Sequence, residues 1–253
     1  MDAYHQEVYQ ELMLWKHKMQ RKPTLSNRVA KRVQMKLNTL IPERMHLIIT
    51  TVMEKMIKTV LFGAKYTTPK PREKASFQLR EAYVRRIILH YKRTASLEGA
   101  ITGAGGILMG FADLPAFLTI KMKMLFDIAG MYGYQVKDYR ERLFLLYVFQ
   151  LAFSSQQGRI PVLARLEKWA DYMETLPLDE NEFDWRTFQQ EYRDYIDLAK
   201  LAQLLPVIGA AVGAVANWKL VAWLGGTAMQ CYRMRYFERL KVLGISLQYP
   251  DEE

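Results

Sequence analysis

The sequence predicts an all-α protein, and three observations carry that reading. Apolar side chains recur at spacings of three and four residues along the whole chain, beginning with Tyr4, Val8, Leu12, Trp15 and Met19, which is the period of a helix face. No run of useful length alternates apolar with polar residues, as a half-buried strand would. Half of the 253 residues are apolar and a quarter are charged, enough to build a sizeable core and too apolar for a disordered chain. The chain reads as one domain, 1–253. Within it, 1–98 are basic amphipathic helices, 99–245 a glycine-rich apolar core with an acidic segment, and 246–253 a tail.

The elements follow in order. Leu25, Val29, Val33, Leu37 and Leu40 continue the first helical pattern until Pro42 stops it. From Glu43 to Phe62 the apolar positions again share one face, with Gly63 placed as a C-cap. KYTTPKPREK, 65–74, is a proline-bearing loop. A helix over about 75–96 closes the basic region. Asp113 reads as the N-cap of a helix over 114–129, Pro115 being tolerated in a first turn. A buried pair between Asp113 and Lys219 is the alternative, since a buried charge needs a partner. Asp138 and Glu141 have the spacing of a capping box before an apolar run. Pro161 starts a helix that carries Trp169, and Asp184 caps one running towards Leu205.

Charge is unevenly distributed. Residues 1–98 hold 20 Lys and Arg against 8 Asp and Glu, while 99–253 hold 16 against 18, so the net +10 lies entirely in the first part. Lys16, Lys18, Arg21, Lys22, Arg28, Lys31, Arg32 and Lys36 fall within 15–36 with no acid among them. Such asymmetry suggests an anionic partner, nucleic acid or acidic lipid. A single cysteine, Cys231, excludes a disulfide framework and a thiolate zinc site. The N-terminus has no secretory pattern, which leads to the expectation of a cytoplasmic location.

Nine of the 14 glycines sit in two places: Gly99, Gly103, Gly105, Gly106 and Gly110, then Gly209, Gly213, Gly225 and Gly226. A glycine inside a helix costs about 1 kcal/mol relative to alanine, so the clusters need a reason. Gly99/Gly103, Gly106/Gly110 and Gly209/Gly213 are four apart, a spacing that lets helix backbones approach closely. The expectation is that the helix around Gly99–Gly110 packs on the helix around Gly209–Asn217. A buried core and a hairpin inserted in lipid both remain open. GAGG, 103–106, lacks the lysine and third glycine of a nucleotide loop.

Little here suggests a reaction. His5, His17, His46 and His90 are scattered, and HExxH and GxSxG are absent. Glu191, Asp194 and Asp197 could line one helix face as a metal or acid–base cluster. With Arg193 and Lys200 at helical spacing they read instead as a solvated face. Asn217 reads as a hydrogen-bonding group between helices. No catalytic residue, metal ligand or cofactor is assigned.

LEGAITGAGGILMGFADLP at 97–115 and YRDYIDLAKLAQLLPVIGAAVGAVAN at 192–217 resemble the EcsC protein family. That family is named after the third product of a bacterial operon whose other two products form an ABC transporter. The likeness extends to YGY at 132–134, ERLFLLYVFQLAFS at 141–154, DWRTFQQEYRD at 184–194 and AMQCYRMR at 228–235, so it runs from about Leu37 onward. Gly99, Gly103, Gly105, Gly106, Gly110, Asp113, Asp197, Lys200, Gly209, Gly213 and Asn217 all fall within these motifs. The resemblance implies a helical fold and an association with transport, secretion or the envelope. It implies no reaction and no catalytic residue.

The expected function is a non-enzymatic accessory protein on the cytoplasmic face of a membrane, peripheral or held by a shallow hairpin. Its partners would be anionic membrane lipid and a membrane-transport protein, with Trp15, Tyr4 and Tyr9 at the interface. Two other classes stay open: nucleic-acid binding by the same basic helices, and a hydrolase acting on an apolar or lipid substrate in a helical pocket.

Overall fold

A computed structural model describes residues 2–21, 43–62, 75–104, 114–156, 158–195 and 210–245. The described residues are overwhelmingly helical and contain no β-strand. Helix α1, Ala3–Gln20, starts where the Asp2 carboxylate accepts from the His5 N–H at 3.0 Å. Its inner face buries Val8, Leu12 and Met19. Helix α2, Glu43–Phe62, has the bounds its periodicity predicts. Helix α3 spans Phe77–Ala104, with Ser76 Oγ accepting from the Leu79 N–H at its start. It passes through Ser96, where the sequence reading ended it. Gly99 is buried inside the helix, so packing there overrides the local preference to stop.

Helix α4, Leu114–Tyr132, ends at Gly133 with φ +96°, a conformation open to glycine, and the Tyr134 N–H caps the Ala129 carbonyl at 3.0 Å. Asp138 caps α5, Tyr139–Phe153, by accepting from the Arg140 N–H at 2.9 Å. The expected reciprocal contact from Glu141 is not made: Glu141 is buried and bonded elsewhere. From Glu141 to Phe153 every side chain of α5 is buried, the mark of a helix at the centre of a core. Helix α6, Arg159–Glu167, contains Pro161 but stops before Trp169, which opens the short α7, Trp169–Glu174. After a 3₁₀ turn at Glu180–Glu182 comes α8, Trp185–Tyr195, whose cap Asp184 accepts from the Thr187 N–H and hydroxyl. The long helix α9, Ala210–Val242, runs 33 residues into a glycine stop at Gly244, φ +69°.

Three of these helices form an antiparallel bundle. Along α3 and α9 the pairs are Glu81 with Arg233, Ile88 with Gly225, and Lys92 with Trp218. Along α3 and α4 they are Glu81 with Tyr132, Tyr91 with Asp127, and Glu98 with Lys121. Helix α5 packs on this bundle through Phe144 against Tyr232. A Cβ on Gly225 would meet Ile88 Cγ1 at 2.7 Å, so the Ile88 side chain is seated directly on the bare backbone of α9 there. The α3 register, carried on, brings Gly99 level with the first turns of α9, where Gly213 lies. Gly105, Gly106, Gly110, Asp113 and Gly209 lie outside the described residues. Among the described residues, no helix is long and apolar enough to cross a membrane.

Candidate functional site

The most concentrated chemistry is a buried ionic network where α1 meets the three-helix bundle. Glu81 is 0 % exposed and Arg233 2 %. Arg233 donates from Nε and Nη2 to the two Glu81 oxygens at 2.6 and 2.7 Å, a bidentate fork. The Tyr4 and Tyr132 hydroxyls donate to the same carboxylate at 2.7 and 3.2 Å, and Arg233 Nη1 reaches Glu11 at 2.7 Å. Burial pushes the Glu81 carboxyl up, but Arg233 and the two hydroxyls outweigh it and hold it below the ordinary 4.5. Beside it the Phe77 and Tyr236 rings stack on each other at 3.9 Å with His5 packed against both, and its Nε2 lies 2.9 Å from the Tyr236 hydroxyl. The network therefore clamps α1 to α3 and α9, with both charges answered.

Within the same turn as Arg233, Tyr232 and Arg235 meet Glu141 of α5, which accepts from the Tyr232 hydroxyl at 2.5 Å and from Arg235 at 2.7 Å. The Arg235 guanidinium lies 3.7 Å over the Tyr134 ring. It forms one wall of a cleft of about 240 Å³ lined by Trp169, Met173, Glu238 and Arg239, smaller than most ligand sites. Burial and the neighbouring Asp171 push the Glu238 carboxyl up. The Cys231 thiol, wholly buried, is pushed far above its ordinary value by desolvation.

At the opposite end of α9 the surface changes character. The outward face of α3 reads Arg86, Leu89, His90 and Arg93, then Leu97 and Ile101, which are 69 % and 68 % exposed. On α9, Lys219 is exposed, and one turn nearer the glycines Val215 is 54 % exposed. Lys92 sits 4.3 Å over the Trp218 ring, tying the two helices together at the level where both faces switch. One turn beyond that level, Glu98 is turned inward and paired with buried Lys121 at 3.6 Å.

The predicted residues are placed as follows. Lys16 pairs with Glu167 at 2.8 Å, while Lys18 and Arg21 stand exposed without an ion pair among the described residues. Lys22, Arg28, Lys31, Arg32 and Lys36 lie outside the described residues, as do Asp197 and Lys200. Tyr4, Tyr9 and Trp15 are each half-buried: Tyr4 bonds Glu81, Tyr9 packs edge-on against Phe237, and Trp15 packs against the core. Lys219 is exposed, so no buried pair with Asp113 is required. Asn217 is 1 % exposed, but its amide meets no partner among the described residues, contrary to the cross-helix bond expected of it. Sequence reasoning missed Glu81, Glu141, Arg233 and Arg235. The available signal was two arginines in the otherwise uncharged stretch 220–237, which must find acids.

A helical bundle stapled by buried carboxylate–arginine pairs defines the class of protein seen here. The chain belongs to the EcsC protein family, whose model matches residues 6–237 and so takes in α1 as well as the motifs. It is 45 % identical to "Protein EcsC" of Bacillus subtilis (strain 168), over 91 % of this chain and 95 % of that protein. It is 35 % identical to "Uncharacterized protein YdbA" of the same organism, over 58 % of this chain and 54 % of that one. No solved structure matches.

Proposed function

We propose that this protein is a non-enzymatic accessory protein bound to the cytoplasmic face of a membrane and linked to transport, secretion or envelope processes. The observation that carries the reading is the orientation of α1. Its apolar face, Val8, Leu12 and Met19, is turned into the core, and its basic face leads outward through Lys18 and Arg21 into the acid-free stretch 15–36. Each Lys or Arg near an anionic surface contributes about 1 kcal/mol, so a cluster of this size suffices for peripheral binding. The family's operon company with an ABC transporter supports the accessory role.

Flotation with phosphatidylcholine vesicles, with and without phosphatidylglycerol, tests this. Binding is expected only to the anionic vesicles and is expected to weaken as salt rises. The combined Lys18→Glu, Arg21→Glu and Lys22→Glu variant should lose it; Lys16 is left alone because it holds Glu167. Undiminished flotation of that variant, or tighter binding to DNA or RNA than to vesicles, would refute the reading.

A further inference from the structure

We infer that the glycine end of α3 and α9 is a lipid-inserting foot, with Leu97, Ile101 and Val215 entering the hydrocarbon of one leaflet. Lys92, Arg93, Trp218 and Lys219 form a collar at the headgroups. The inference rests on the membrane reading above and assigns the penetrating surface, which the basic α1 region alone does not supply.

Three observations converge on it. The first is the sharpness of the boundary. On α3 the outward face mixes Arg86, Leu89, His90 and Arg93 and then carries only apolar side chains at Leu97 and Ile101; on α9 it is apolar at Val215 and basic at Lys219. The Lys92–Trp218 contact shows that the two switches lie at one level. The second is what the collar contains. A tryptophan beside three basic side chains is the composition found where protein meets headgroups, since an indole ring is apolar with one polar edge. The third is continuity. The described helix residues Gly99–Ala104 and Ala210–Trp218 carry no charge, and Glu98 itself is turned inward onto Lys121. No charged side chain on α3 or α9 faces outward beyond the collar among the described residues.

The depth follows from helix geometry. At 1.5 Å per residue, Leu97 lies about 6 Å and Ile101 about 12 Å past Arg93 along α3. That is within a single leaflet, whose hydrocarbon is about 15 Å thick, and agrees with the absence of a spanning helix among the described residues. The other apolar end, Val242, Leu243 and Ile245, has no such boundary: Glu238, Arg239 and Lys241 share its turns.

The test places an environment-sensitive fluorophore at Ile101→Cys in the full-length protein, with Val242→Cys as the control; native Cys231 is buried and stays unlabelled. On vesicles of phosphatidylcholine with phosphatidylglycerol, emission from position 101 should shift blue and escape aqueous quencher, while position 242 should not change. The Leu97→Ser, Ile101→Ser, Val215→Ser variant should partition on the order of a hundredfold more weakly, each residue losing apolar burial, with its melting temperature unchanged. A label at 101 that stays wet on vesicles that float the protein overturns the foot and leaves peripheral binding by the basic region standing. A label at 101 shielded without vesicles means that a second protein surface covers this end, and also overturns it. Failure to float with any vesicle removes both readings.

Discussion

Gly225→Ala should separate sharply from Gly226→Ala, although the two glycines are neighbours in the same helix. Alanine gains about 1 kcal/mol over glycine in a helix interior, and that gain is common to both. At Gly226 an added methyl meets nothing within 4 Å, so the gain should be realised. At Gly225 it would lie 2.7, 2.9 and 3.0 Å from Ile88 Cγ1, Cδ1 and Cγ2. Isoleucine in a helix is held almost wholly in one χ1 rotamer, so Ile88 cannot swing clear and α3 and α9 must part. Overpacking of this kind costs roughly 1–3 kcal/mol, which is the expected difference between the two variants. For a chain of this size that is a gap of roughly 2–4 °C in melting midpoint per kcal/mol. Thermal and urea unfolding followed by circular dichroism would measure it. Ile88→Ala should cost far less in the Gly225→Ala background than in wild type, because the two changes share one contact. Equal stability of the two alanine variants, or additive effects with Ile88→Ala, would refute the close approach of α3 and α9.

The remaining expectations concern the buried network and the lone thiol. Glu81→Gln leaves buried Arg233 with Glu11 alone, and breaking such a pair should cost about 3–5 kcal/mol in urea unfolding at neutral pH. Because the folded carboxyl sits below its ordinary 4.5, its contribution is full above that value and is lost as pH falls through the lower folded value. Acid unfolding should therefore be shallower in Glu81→Gln; an unchanged acid profile would sink the assignment. Cys231 should resist a maleimide in the native protein and react fully after unfolding, since burial suppresses its thiolate.

What the sequence made legible was whatever depends on near neighbours. The bounds of α2 and the caps Asp138 and Asp184 all follow from residues within a turn or two. The end of α3 did not, because Gly99 is kept helical by packing that no local rule contains. The break between Glu167 and Trp169 likewise left no local trace. For the candidate site, the basic run beginning at Lys16 was plain in the composition. The inward turn of Tyr4 was not, since its partner Glu81 stands 77 residues away. The same distance hides the Glu81–Arg233 fork: each charge can be recognised as needing a partner, but only the register of α3 against α9 says which.

That fork also orders events during synthesis. Glu81 leaves the ribosome long before Arg233, which lies 152 residues later, and until then its carboxylate has no counter-charge with which to enter an apolar interior. Tyr4 and Glu11 on α1 wait for the same moment, because Glu11 docks on Arg233 itself. A nascent chain stopped short of α9 therefore holds an exposed apolar face on α1 and an unneutralised acid at the future centre. Such chains are prone to aggregate and are natural clients of chaperones. Closure must wait for α9, so this bundle is not assembled helix by helix as it emerges.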